Sequence, residues 1–230
     1  MGVSRGWRIA AGVLLASSAS AVAGPDWTEV NDAGQQLFTA QVPRGTAGSL
    51  NTISGVLGGT GVEPDFADCY IIRIVNPSIF SATVTTANFD AQLYLFNISL
   101  PGGAYGLLAN DDQSPSNNLP RFTNVSTDGT NVIVALPGDY MIGISGTSFH
   151  PLAPSGPGGA TGRIFNYANL TEVSGPDGPG GFNQLTTWSG QGEFGDYIIT
   201  LTGCDFPIFP APGTAGMLGL AGVVMARRRR

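Results

Sequence analysis

Between about Pro25 and Asp205 the apolar residues recur at every second position, and no window repeats at the three-to-four spacing of an amphipathic helix. A period of two sends successive side chains to opposite faces of an extended chain. "CYIIRIV" (Cys69 to Val75) alternates around Tyr70, Ile72 and Ile74, and "FSATVTT" (Phe80 to Thr86) follows a turn at Asn76-Pro77. "NVIVALP" (Asn131 to Pro137), "DYMIGISG" (Asp139 to Gly146) and "DYIITLTG" (Asp196 to Gly203) continue the series. Each run is short, rich in β-branched or aromatic residues, and bounded by Gly, Pro, Asn or Asp. In "AQLYLFN" (Ala91 to Asn97), Leu93 and Leu95 take one face and Tyr94 and Phe96 the other, which predicts a strand covered on both sides. The pattern predicts an all-β fold over 24–206: a single β-sandwich or jelly roll.

Two runs echo each other. "GDYMIGISG" (Gly138 to Gly146) and "GDYIITLTG" (Gly195 to Gly203) share a turn, a tyrosine at the strand start and a closing glycine. They read as equivalent strands of one sandwich; nothing upstream of the second repeats what precedes the first, so duplication is not implied. The chain holds 34 glycines and 16 prolines, and many fall in "HPLAPSGPGGATG" and "SGPDGPGGFNQ". Such stretches break regular strands. They predict a long Gly/Pro-rich excursion over 150–192, interrupted by a short ordered piece near Ile164 to Tyr167.

The body carries "DFADCYIIRI" (Asp65 to Ile74), "FDAQLYLFN" (Phe89 to Asn97), "LLANDD" (Leu107 to Asp112), "LPGDYMIGISG" (Leu136 to Gly146) and "GDYIITLTG". In this order they resemble the bacterial pre-peptidase C-terminal domain. The resemblance spans most of 60–205 and implies a β-sandwich of about eight strands that acts as an accessory module, with no catalysis of its own.

Both ends read as addresses. "MGVSRGWRIAAGVLLASSASAVAG" has a basic start at Arg5 and Arg8, an apolar run from about Ile9 to Ala16, and a small-residue box ending Ala21-Val22-Ala23. That is the layout of a secretory signal peptide over 1–23, cut after Ala23. At the other end Gly213 to Ala226 carries no charge, and Arg227, Arg228, Arg229 and Arg230 close the chain. As a helix, 213–226 would span about 21 Å, short of the ~30 Å hydrocarbon core. Arginines behind it hold the tip in the cytoplasm while the body sits across the membrane. With Pro210-Ala211-Pro212-Gly213 in front, the segment 207–230 resembles the PEP-CTERM sorting signal of Gram-negative bacteria, with Ala211 in place of the usual Glu. The resemblance implies transient inner-membrane insertion, processing by signal peptidase and an exosortase-like enzyme, and release to the cell surface or beyond.

The formal charge of −6 is unevenly spread: away from the termini only Arg44, Arg73, Arg121 and Arg163 stand against all sixteen acids, and the chain has no lysine. A body this negative repels phosphate backbones, which argues against a nucleic-acid partner. The two cysteines, Cys69 and Cys204, form an even pair in an exported chain, and one disulfide between them is expected. The inventory for catalysis is thin. His150 is the one histidine, and it is expected in an exposed loop; nucleophile-elbow, zinc-protease, P-loop and dinucleotide motifs are absent.

Carboxylates remain. Asp111 and Asp112 follow Asn110 in a loop, Asp90 precedes the "QLYLF" strand, and Glu63, Asp65 and Asp68 cluster before the first strand. Three readings stand open for Asp90, Asn110, Asp111 and Asp112: a solvated turn, a Ca²⁺ site built from hard oxygens, or a carboxylate pair for glycoside hydrolysis. Some relatives of the resembled domain, in secreted proteases, bind Ca²⁺. The sequence therefore points first to an exported, non-enzymatic surface or matrix protein with a structural or adhesive role, with extracellular polysaccharide as a partner. A Ca²⁺- or carbohydrate-binding module is the alternative, and a secreted glycan hydrolase a third.

Overall fold

Residues 26–45, 48–58, 65–100 and 103–208 are described in a computed structural model of the chain. The signal peptide with Ala21 and Ala23, and the sorting segment from Pro210, Ala211, Pro212 and Gly213 to Arg227–Arg230, lie outside the described residues.

The alternating runs become strands that bury one face or both. In chain order they are β1 (Trp27–Thr28), β2 (Thr52–Val56), β3 (Ala67–Ile74), β4 (Ser81–Ala87), β5 (Ala91–Asn97), β6 (Tyr105–Asn110), β7 (Arg121–Thr123), β8 (Gly138–Gly146), β9 (His150–Pro154), β10 (Thr161–Arg163), β11 (Thr187–Ser189), β12 (Asp196–Thr202) and β13 (Cys204–Asp205). One sheet has the order β1-β2-β12-β4-β7, a second β13-β3-β8-β5-β6, and a small third β10-β9-β11. The fold is all-β, and the two five-stranded sheets form a sandwich. Among the described residues ten strands build it, against about eight expected, because Thr52–Val56, Tyr105–Asn110 and several two- or three-residue pieces join the runs read in sequence. Conversely "NVIVALP" is not a strand: Ile133 touches Val125 through an isolated bridge, and Leu136 is left exposed.

The echoed runs are β8 and β12, each the middle strand of its sheet. Between them lies the main core: Ile53, Tyr70, Ile72, Ile74, Val84, Leu93, Leu95, Ile142, Ile144, Tyr197, Ile199 and Leu201 belong to one buried cluster. Each such side chain contributes about 1.5–3 kcal/mol by leaving water. The outer face of the β12 sheet is hydroxyl-rich: Thr28, Ser54, Thr85, Thr200 and Thr202 are partly or fully exposed, and Thr85 and Thr200 share a 3.1 Å hydrogen bond.

The β8 sheet is buried on its other face as well. There Cys69, Ile71, Tyr94, Phe96 and Met141 meet Phe149, Ile164, Phe165, Leu185 and Trp188 from the 149–189 region. Trp188 stacks on Phe149 at 5.6 Å, meets Tyr94 edge-on at 5.4 Å, and donates its indole N–H to the Gln35 carbonyl at 2.7 Å. The strand AQLYLFN is thus covered on both sides, as its alternation predicts, and Ile164 and Phe165 are ordered and buried.

Three expectations are corrected here. The excursion is not strand-free, because β9, β10 and β11 pair within it. Pro151 sits in the central strand β9 because its carbonyl alone is used, accepting the Ile164 N–H at 3.1 Å. His150 is buried rather than exposed; burial, and secondarily Arg163, holds its imidazole down to about 4, so it is neutral at pH 7. The expected disulfide does not form: both cysteines are free and buried. The chain turns at Gly203 (φ 73°) from β12 to β13, and β13 pairs Cys204 with Ile74. Cys69 lies five residues along β3 from that point, roughly 16 Å away, beyond the ~7 Å limit for a bridge. The two thiols also belong to opposite core clusters.

Candidate cation site

β5 and β6 form an antiparallel pair in which Leu93 faces Asn110. The residues just before β5 and just after β6 therefore fall side by side, which brings Asp90 to Asp111 and Asp112. One oxygen from each of the three carboxylates lies within 4.8 Å of the others. Two oxygens each about 2.4 Å from a shared Ca²⁺ are at most about 4.8 Å apart, so the spacing fits a single ion of that kind.

Asp111 is 5% exposed, and its Oδ1 accepts no hydrogen bond; Asp90 Oδ1 is likewise buried and without a donor. Unsatisfied buried carboxylate oxygens are costly unless a proton or a cation meets them. Burial, with the Asp112 and Asp90 charges adding to it, pushes the Asp111 carboxyl up to about 6, while the Gln92 side chain works in the opposite direction. Burial also raises Asp90, helped by Asp112 and Glu193, and raises Asp112.

The surroundings fix these groups. Gln92, 1% exposed, reaches Asp111 and accepts the Tyr94 hydroxyl at 2.8 Å, tying the cluster to the second core. The Glu193 carboxylate accepts the Asp90 N–H at 2.8 Å, and the Asp112 N–H donates to the Leu170 carbonyl at 2.9 Å. Of the residues singled out in the sequence, the structure brings the carboxylates of Asp90, Asp111 and Asp112 together. Asn110 lies beside them, where its amide donates to the carbonyls of Asp112 and Glu172 at 2.9 and 2.8 Å, and its Oδ1 accepts the Arg121 N–H at 2.7 Å. It clamps the loop that carries Asp111 and Asp112. Gln92 and Glu193 were missed in sequence; Gln92 reads as an ordinary strand residue, and Glu193 is 103 residues from Asp90.

Oxygen-only donors, with no thiol and no imidazole, match a hard cation rather than zinc. Fold and site together define an all-β sandwich with a cluster of three carboxylates at one end of its β5–β6 hairpin. Comparison with known proteins returns no matching family model, no matching curated protein and no matching solved structure. Among the described residues no helix is long and apolar enough to cross a membrane.

Proposed function

We propose that this chain is an exported, non-enzymatic surface or extracellular-matrix protein whose β-sandwich binds Ca²⁺ at Asp90, Asp111 and Asp112. The observation that carries the ion is the buried Asp111 carboxylate, with an oxygen that no protein donor meets, facing two further carboxylates. The resemblance to the pre-peptidase C-terminal domain supports the same reading. Export rests on the two termini: the signal-peptide layout of 1–23, and the PEP-CTERM-like segment that an exosortase-like enzyme would process after transient membrane insertion. The hydroxyl-rich outer face around Thr85 and Thr200 suits contact with extracellular polysaccharide, whose hydroxyls pair with such groups without a charge.

Titration of the full chain with calcium chloride tests the ion. Asp111→Asn is expected to remove one equivalent of bound Ca²⁺, and a variant that binds as the parent does would sink the assignment. Mass spectrometry of protein recovered from cells tests the export: loss of both termini is expected, and full-length material in the cytosol would overturn it.

A further inference from the structure

A second group of carboxylates gathers under the N-terminal segment. The N-terminal segment 26–45 crosses the sandwich: β1 pairs parallel with β2, and Gln41 bridges to Tyr70 of β3. Gln41 ties this strap to itself, accepting the Trp27 indole N–H at 3.1 Å and donating to the Val30 carbonyl at 2.8 Å. The crossing sets Glu29 and Asp32 over Asp68, and one oxygen from each lies within 4.8 Å of the others. Asp65 stands beside them, touched by the Gln35 amide at 3.5 Å.

Asp68 is fully buried. One of its oxygens accepts the Tyr197 hydroxyl; the other, Oδ1, accepts nothing. Glu29 is held in place by the N–H groups of Ala33 and Val56, at 2.9 and 2.8 Å. A side chain on Gly55 would sit 2.7 Å from Glu29 Oε2 and closer still to the Tyr197 hydroxyl, so glycine keeps the approach open. Burial, then the Asp65 and Glu29 charges, pushes the Asp68 carboxyl up to about 9, and burial followed by Asp32 pushes Asp65 up to about 6. Among the described residues the ion pair is Arg73–Asp139, so no arginine neutralises this group.

We propose that Glu29, Asp32 and Asp68 form a second divalent-cation site, separate from the Asp90 cluster, which fastens the N-terminal strap to the sandwich. Its donors are carboxylate oxygens from two chain segments, with no fixed octahedral arrangement imposed by one loop, a set that suits Ca²⁺ better than the strict octahedron of Mg²⁺. One ligand is buried on β3 and the other two belong to the strap, so an ion bound by all three adds to the backbone hydrogen bonds that dock the strap.

The test uses the full chain, stripped with chelator and titrated with calcium chloride under native mass spectrometry and calorimetry. The parent is expected to take up two ions. Glu29→Gln and Asp68→Asn are each expected to take up one, and Asp111→Asn also one. Glu29 is half-buried, so E29Q keeps the test valid if D68N fails to fold. Chymotrypsin cleavage at the exposed Phe38 of the strap is expected to slow at least tenfold with Ca²⁺ in the parent and in D111N, but not in E29Q. One ion in the parent, kept in E29Q and lost in D111N, would overturn this site and leave the Asp90 reading intact. One ion kept in D111N and lost in E29Q would support this site and remove the other.

Discussion

The hydroxyl oxygens of Tyr70 and Tyr197, one from each main sheet, lie 2.6 Å apart, and Tyr197 also donates to Asp68. The sandwich is thus pinned at this end by a buried polar chain as well as by apolar packing. Tyr197→Phe removes both bonds and leaves Asp68 and Tyr70 short of a partner. The expected cost is about 1–3 kcal/mol, read as a lower urea midpoint with an unchanged m-value.

Stability should depend on pH in a direction unusual for an acidic protein. Asp68 is held up to about 9 and Asp65 and Asp111 to about 6, above the ordinary 3.8, chiefly by burial. The folded state therefore keeps protons that the unfolded chain releases near pH 4. This contribution is whole below that pH and is lost as pH rises through 6 and on toward 9. In chelator, unfolding free energy is expected to fall across that window, and Asp68→Asn should flatten the part from pH 6 to 9. A flat parent profile would refute the claim.

Asn110→Ala deletes three hydrogen bonds that hold the Asp111–Asp112 loop against Glu172 and Arg121. At about 1 kcal/mol each, the loss is expected near 2–3 kcal/mol. Calcium affinity should drop with it, because the carboxylates lose their fixed spacing; calorimetry of the variant checks both.

Trp188→Ala opens the cover over Tyr94 and Phe149. Removing a buried tryptophan costs about 3–5 kcal/mol. The expected result is a lower thermal midpoint together with dye binding to the uncovered β8 sheet.

Both thiols are buried, and burial raises that of Cys69 and pushes that of Cys204 up to about 12. Neither should react with a thiol reagent until the chain unfolds, when two equivalents are expected. A folded protein two hydrogens light would contradict the register of β13 on β3.

What sequence conveys here follows from how local each signal is. Leu93 and Leu95 against Tyr94 and Phe96 announce a doubly covered strand because alternation is written in adjacent residues. Asp111 and Asp112 are legible for the same reason, and Asp90 because one hairpin returns it. Glu29 and Asp32 reach Asp68 only through the strap crossing, 36 or more residues away, and no local pattern encodes that. His150-Pro151 misleads in the opposite way: proline density suggests a loop, yet a strand position that needs only a carbonyl accepts Pro151. The disulfide expectation fails at one glycine, since the turn at Gly203 sets Cys204 opposite Ile74.

Because the β8 sheet is roofed on both sides, it has no wet side. Its central amides, on β3, β5 and β8, can trade hydrogen for deuterium only when a whole layer lifts away, whereas the Thr-lined sheet around β12 meets solvent along one face. The molecule therefore carries an inner clock and an outer one: the echoed strands Gly138–Gly146 and Asp196–Thr202, alike in sequence, should label at very different speeds.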